Sequence, residues 1–510
     1  MPRHAWWIVG TTWVIFMVIF ALISFPNHYN FRSYAHDLAF FMQYFENYLN
    51  GYFIPRKLSI GLLNEPVDGI IYTESHISPS ILTALPFYWA GSVWGLLLHQ
   101  WLSIGFMAIG FFAYARHRIG LWQAGYWTMV HFFGMWGITS LLAWDWHEVV
   151  AGIVWLPWFF YALEAQKLWL LFLSWFLFIG AKENFALWGI WLSLSLLFAY
   201  KSSKKQRLLL WLAGLTTAWF ALTYVLFKKG PQLHSAFSAY EYLAAEDPLA
   251  ALQGKETVSD PSIGKILRTI LLKPQLIWSL LFESTHPDLA TFGIKSELHW
   301  AVLWSGGWSF IFQPIFLILL IPVYLYKLLP DRYSIWGTLY HYNTEFAAIL
   351  PIAVLWTAER WRGSWRFWVA LIGGALGAHL MNFSLLDHCY SKWYDSARHR
   401  WYQCEHYHPL QGYDYEKIHE GLKLIPREAG VSASSRLAPH IPARLEYYHF
   451  PVVGKAEYIA LLRNDPGPWP LTPAELTCHI DSLEHSPYWE KIWDKDQLVI
   501  FRRRSADKSK

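Results

Sequence analysis

Charge is scarce in this 510-residue chain. Asp, Glu, Lys and Arg make up 15% of it, against about 25% in a typical soluble chain. That shortage excludes an ordinary soluble enzyme and a disordered, self-solvating chain. Cysteine is scarcer still, with only Cys389, Cys404 and Cys478, which give no zinc-ligand spacing and no disulfide framework. Cys389 and Cys404 could pair in an oxidising compartment, but spacing does not establish the geometry. The net charge of +4 is too small to argue for a nucleic-acid partner. No P-loop, dinucleotide Gly-rich turn, HExxH or Gly-x-Ser-x-Gly stands where structure would support it, which argues against ATP-driven transport. No repeat of fixed period and no low-complexity segment is found.

What the chain does have is apolar and aromatic: 55% hydrophobic residues and 19% Phe, Trp and Tyr. The charge is also unevenly placed. Residues 384–510 hold 34 charged side chains, about 27%, while residues 1–383 are about 11% charged. The pattern predicts a mainly α, polytopic helical membrane bundle over 1–383. A water-soluble C-terminal domain over 384–510 follows, large enough for its own core.

A membrane helix needs roughly 20 apolar residues. The first run is 5–25, too long and without the cleavage site of a signal peptide. Further candidates are 93–114, 121–142, 149–165, 168–181, 184–200, 208–228, 297–310, 313–329, 344–358 and 365–383, making about eleven spans. Stretch 78–92 reads as a partial or interfacial helix. Basic residues set orientation. Arg3, Arg116, Arg118, Lys167, Lys201, Lys204, Lys205, Arg207, Arg360, Arg362 and Arg366 fall on one side if the N-terminus is inside and the C-terminal domain outside. Lys228 and Lys229 disagree. The external side then carries loop 26–77, the turns at 144–148 and 182–183, loop 229–296, stretch 330–343 and the C-terminal domain.

The polar residues worth naming fall on that side. His36 and Asp37 precede a stripe of Leu38, Phe41, Met42, Phe45, Tyr48 and Leu49, whose spacing predicts an interfacial amphipathic helix. Asp37 then either complements the helix dipole or serves as a general base at the membrane surface. Glu74 and His76 stand before Ser78 and Pro79, a helix-start pair; the imidazole could bind a phosphate or orient a substrate. Asp145, His147 and Glu148 crowd one short hairpin. They are either a solvated turn with Asp145 capping the next helix, or one wall of a site. Lys182 and Glu183 interrupt an apolar stretch, as a buried ion pair or as a lysine that reaches a lipid-linked phosphate. His341 and Tyr342 add polar groups before the tenth span. The set could hold a divalent ion, although no pair stands at helical ligand spacing. Many of the tryptophans are expected in interfacial belts.

In the C-terminal domain, 414–425 reads as a helix, 457–462 and 498–501 as strands, and 473–494 as one or two helices, together a small α/β module.

Taken in order, these motifs resemble an uncharacterised family of bacterial polytopic membrane proteins, a domain of unknown function (twenty-seventy-nine in that series). Asp37 to Gln43 is similar to its Asp-Leu…Gln motif, and His76-Ile77-Ser78-Pro79 to its His-x-Ser-Pro. Asp145-Trp146-His147-Glu148 is similar to its Asp-Phe-His-Pro-Glu without the Pro. Lys182-Glu183-Asn184 is similar to its Lys-Glu-Asp with Asn last. His341-Tyr342 matches its His-Tyr. Ile425-Pro426, Val431 to Ser434 and Pro439 to Arg444 resemble its tail signature. The family is in turn similar in architecture to the C-type class of membrane glycosyltransferases, which use sugars on polyprenyl phosphates and carry an acidic residue in the first external loop. That resemblance implies a sugar transfer from a polyprenyl-phosphate donor to an acceptor, at the external face of the bacterial cytoplasmic membrane, with membrane lipid as surroundings. Asp37 would be the catalytic residue, and His36, Glu74, His76, Asp145, His147, Glu148, Lys182, Glu183, His341 and Tyr342 would bind substrate. Two other readings stand beside it. A transporter or flippase should place polar groups at both faces of the bundle. A non-catalytic scaffold should tolerate loss of Asp37, His76 and Lys182 together.

Overall fold

In a bilayer every backbone N–H and C=O must be satisfied within its own segment, so apolar runs become helices. The computed structural model describes residues 1–50, 77–227, 239–258, 262–283, 293–410, 412–444 and 446–504. Among them, four helices are long and apolar enough to cross a membrane: Arg3–Tyr29, Pro79–Ile119, Ser203–Val225 and Trp365–Asp387. The first turns Trp6, Trp7, Val14, Ile15, Val18 and Leu22 outward, an arrangement that suits lipid and is costly in water.

The expected eleven spans are not reached by length. Helices Leu168–Ile179, Glu183–Ala199 and Ile315–Leu328 have 12, 17 and 14 residues, about 18–26 Å at 1.5 Å per residue, short of the roughly 30 Å apolar core. Others are broken. Stretch 121–142 divides into Trp122–Phe133 and Trp136–Leu142, and 149–165 into Val149–Ile153 and Leu156–Ala165, with a proline in the first turn of the second. Thr344–Glu359 is buried along nearly its whole length, an internal column of the bundle. Stretch 78–92 forms the 3-10 turn Pro79–Ala84 and the start of helix Leu85–Ile119, which breaks at Ser92 (φ 49°, ψ −133°). The break brings the Phe87 carbonyl against Gly95, where a Cβ would lie 1.8 Å from its oxygen; only glycine fits.

The C-terminal part is built on a five-stranded sheet: β1 (Val431–Ala433), β2 (Tyr447–His449), β3 (Tyr458–Leu462), β4 (Trp489–Lys495) and β5 (Leu498–Arg503). The order is β2-β1-β3-β5-β4. β1 is parallel to β2 and β3, and β5 is antiparallel to β3 and β4. The expected helices over 473–494 are one helix, Pro473–Glu484, followed by β4. Thr472 and Glu475 form a reciprocal cap that starts that helix. All three cysteines are free, and Cys389 and Cys404 do not pair. Cys389 is buried and its thiol donates to Glu297 Oε1 (3.3 Å).

One face of the sheet packs on helix Tyr415–Leu422 and on Phe31, Ala35 and Ala39. Phe31, Ala35 and Ala39 of the first loop therefore belong to the core of the C-terminal domain. Just beyond, Phe41, Met42, Tyr44, Phe45 and Tyr48 belong to the core of the bundle. Helix Phe40–Leu49 buries Gln43, Tyr44 and Asn47 as well as its apolar stripe. It is wedged between bundle and domain, and does not lie with one open face on the membrane surface. Arg32, 2% exposed, locks the wedge: its guanidinium donates to the carbonyls of Glu405 (2.9 Å), His406 (2.6 Å) and His408 (3.0 Å), and to that of Ala397.

Candidate functional site

The wedge presents Asp37. It sits in a single π-turn, Ala35–Ala39, a local widening often found at functional positions. Trp144 Nε1 donates to Asp37 Oδ2 (2.8 Å). Asp37 Oδ1 lies 3.7 Å from His147 Nε2, an ion-pair distance beyond hydrogen-bond range. His147 Nδ1 is 3.5 Å from Glu148 Oε2, and Glu148 Oε1 is 2.5 Å from Lys182 Nζ. His341 stacks on His147 with ring centroids 3.5 Å apart, and Tyr342 lies against His341 at 4.0 Å. Lys327 positions that last pair by donating to the carbonyls of Ile335 (2.7 Å) and Tyr342 (3.1 Å).

Four parts of the chain far apart in sequence thus form one charged chain: Asp37, His147, Glu148, Lys182, with His341 and Tyr342 along its flank. Exposure differs between its two ends. Glu148 is 3% exposed, His147 5% and Lys182 8%, while Asp37 is 21% exposed. Asp37 is where the chain opens.

The charges hold one another ionised. Burial by itself would lift the Asp37 carboxyl, but His147, helped by His36 and His341, holds it well below the usual carboxylate range. Burial would depress His147, yet Asp37 and then Glu148 raise it to about 9. Lys182 is likewise raised against its burial, by Glu148. His341 goes the other way: burial and the positive His147 and Lys182 pull it well below its ordinary value. The stacked pair therefore consists of one imidazolium, His147, and one neutral imidazole, His341.

Asp145 is neither a solvated turn residue nor a cap. It is 2% exposed, accepts from the Tyr34 N–H (2.9 Å) and faces Arg398 Nη2 at 3.3 Å. Burial lifts its carboxyl to about 7 against the pull of Arg398. Arg398 also lies 3.8 Å above the Trp144 ring and donates to the Ala143 carbonyl. It fixes the tryptophan that binds Asp37. Arg398 was missed by sequence reasoning; the only signal for it is that a buried carboxylate such as Asp145 requires a cation.

Of the remaining expected residues, His36 is exposed and meets the ring of Trp469 edge-on at 5.7 Å. Trp469 in turn stacks on His449, so the C-terminal domain reaches the rim beside Asp37. Glu183 opens helix Glu183–Ala199 and adds to the field that raises Lys182; the ion-pair partner at 2.5 Å is Glu148. Glu74 and His76 lie outside the described residues. Among the described residues, no group of three His, Cys, Asp or Glu side chains is placed to hold a metal ion.

A second polar cluster occupies the other end of helix Leu85–Ile119, about 40 Å from its Ser92 break at 1.5 Å per residue. Arg118 binds Glu164 (2.5 Å) and Glu359 (2.7 Å), Tyr200 donates to Glu164 (3.0 Å), and Lys205 also pairs with Glu164. These groups line a pocket of about 380 Å³.

Long apolar helices with lipid-suited outer faces, and a buried charged array where the bundle meets a small sheet domain, define a multi-helix membrane protein. The chain belongs to the family described as Predicted membrane protein (DUF2079), which matches residues 27–498. A search of curated proteins returns no match.

Proposed function

We propose that the chain is a glycosyltransferase that moves a sugar from a polyprenyl-phosphate donor to an acceptor at the extracytoplasmic face of a bacterial cytoplasmic membrane. The observation that carries this reading is the partly exposed carboxylate of Asp37, oriented by Trp144 and backed by the buried His147–Glu148–Lys182 array. An acidic residue in the first external loop is also the feature shared with the C-type class of membrane glycosyltransferases.

In the proposed step, the acceptor hydroxyl gives its proton to Asp37. Its oxygen bonds to the anomeric carbon, and the bond from that carbon to the phosphate oxygen breaks. The electron pair leaves with the polyprenyl phosphate. One base with direct displacement inverts the anomeric carbon. His147 and Lys182 are preorganised positive groups for the departing phosphate. His147 also regulates the base. While His147 faces Asp37, the carboxylate is ionised and weakly basic; a donor phosphate drawn to His147 offsets that positive field and strengthens Asp37 when substrate is bound.

The test is to incubate the purified full chain in lipid nanodiscs with polyprenyl-phosphate hexoses and pentoses and sugar acceptors, and to follow the products by mass spectrometry. A glycosylated acceptor together with free polyprenyl phosphate supports the reading. A chain that leaves every donor intact, with either anomer and in several lipids, overturns it.

A transporter is the second reading. It is favoured by the polar cluster at the opposite end of the helix Leu85–Ile119, since carriers need polar groups at both faces. In this chain that cluster is internally paired, which suits a fixed clamp better than an inner gate. Uptake of solute into liposomes without covalent product would establish this alternative.

A further inference from the structure

Helices Ile263–Leu272 and Pro274–Phe282 form a hairpin with apolar side chains on two sides. The inner side is used: Ile266, Ile277 and Leu280 pack with Tyr242, Leu243 and Leu329. The outer side is not. Leu267 is 52% exposed, Leu271 75%, Leu272 68% and Trp278 67%. With 10 and 9 residues, each helix spans about 15 Å and is too short to cross a bilayer.

Three observations say what covers that face. The hairpin is tied to the lipid-suited surface of the bundle. Phe282 stacks on His299 (4.5 Å), His299 pairs with the Leu281 carbonyl (2.9 Å), and Lys295 donates to that of Leu280. Helix Ile294–Trp304, which carries both anchors, itself exposes Trp300, Leu303 and Trp304, so the apolar outer surface runs on from one element to the next. Second, Lys265, Arg268 and Lys273 are exposed along the same hairpin, the mixture of Leu, Trp and basic residues that suits the headgroup boundary. Third, the hairpin packs on Leu329, just past the end of helix Ile315–Leu328 whose Lys327 holds Tyr342. That places it at the same end of the bundle as Asp37.

We infer that Ser262–Glu283 is a monotopic lipid-binding hairpin. It lies in the leaflet at the Asp37 end, with Leu267, Leu271, Leu272 and Trp278 among the acyl chains and Lys265 and Arg268 at anionic headgroups. The inference does not depend on sugar transfer.

The experiment uses the full chain carrying C404S and C478S, with a single environment-sensitive NBD label introduced at Leu271→Cys, Trp278→Cys or, as a water-exposed control, Lys255→Cys. Each is placed in nanodiscs of phosphatidylcholine with and without phosphatidylglycerol. Labels at 271 and 278 are expected to be quenched by doxyl-labelled lipid and shielded from iodide, with the reverse at 255. Burial is expected to deepen with phosphatidylglycerol, an effect lost in K265Q/R268Q. Iodide access at 271 and 278 without doxyl quenching overturns the inference, because the face is then in water. Shielding from both quenchers also overturns it, because a second copy or another protein then covers the hairpin. Co-elution of each variant with the unsubstituted protein on size exclusion guards against misfolding.

Discussion

The Glu148–Lys182 pair offers the sharpest energetic prediction. Both side chains are under a tenth exposed and 2.5 Å apart. At an effective dielectric of about 20, such charges attract by about 7 kcal/mol before desolvation is subtracted. Glu148→Gln leaves the Lys182 ammonium buried beside a neutral amide. Removing one partner of a buried pair costs about 3–5 kcal/mol. Lys182→Met is expected to cost toward the lower end of that range, because Glu148 keeps His147 at 3.5 Å. Replacing both, as Glu148→Gln with Lys182→Met, removes the uncompensated charge and is expected to cost less than the sum of the two single changes. The coupling energy from a double-mutant cycle should be about 3 kcal/mol, read from unfolding of the detergent-purified protein. Single variants within about 0.5 kcal/mol of the parent, adding without coupling, would refute the description of a buried, mutually dependent array.

Further outcomes follow from the same geometry. His147 is raised in the fold from 6.5 to about 9, so its stabilisation, about 3 kcal/mol at 1.36 kcal/mol per unit, is full below pH 6.5 and lost as pH rises through about 9; a melting-temperature series over that window should fall, and His147→Gln should flatten it. Arg398→Met strands Asp145 and releases Trp144, with an expected loss of about 3–5 kcal/mol that Arg398→Lys recovers in part, measured by thermal melt. Gly95→Ala forces a Cβ to 1.8 Å from the Phe87 oxygen; a destabilisation of at least 1–3 kcal/mol, roughly that of overpacking, is expected in the same assay.

How much of this was legible beforehand depends on the kind of signal. Apolar runs gave the positions of Arg3–Tyr29, Ser203–Phe227 and Trp365–Asp387 within a few residues, because lipid-crossing helices have a length requirement that sequence carries directly. The number of crossings is not legible in the same way: an apolar run reads alike whether it spans lipid or, like Thr344–Glu359, is enclosed by other helices. The residues of the buried charged array were visible as charges that an apolar chain should not tolerate. Their pairing was not. Lys182 has Glu183 as its neighbour in sequence, yet its partner at 2.5 Å is Glu148 from another hairpin, because partner choice is set by how helices pack. Arg398 and Trp144 carried no pattern, and their roles emerge only once Asp145 is seen to be buried. The wedge between bundle and sheet was equally hidden, since a helix covered on both sides still shows an amphipathic stripe when Gln43 and Asn47 share its second face.

The central claim is that Asp37 accepts the acceptor's proton, and one comparison tests it most directly. Wild type and Asp37→Asn, in matched nanodiscs with a polyprenyl-phosphate sugar the wild type consumes, are assayed for the rate of glycosylated product. Asparagine preserves the Trp144 hydrogen bond through its carbonyl oxygen but cannot take a proton. The account predicts a fall of roughly 10²–10⁴-fold, with the donor still bound. An Asp37→Asn protein that transfers sugar at the wild-type rate contradicts it.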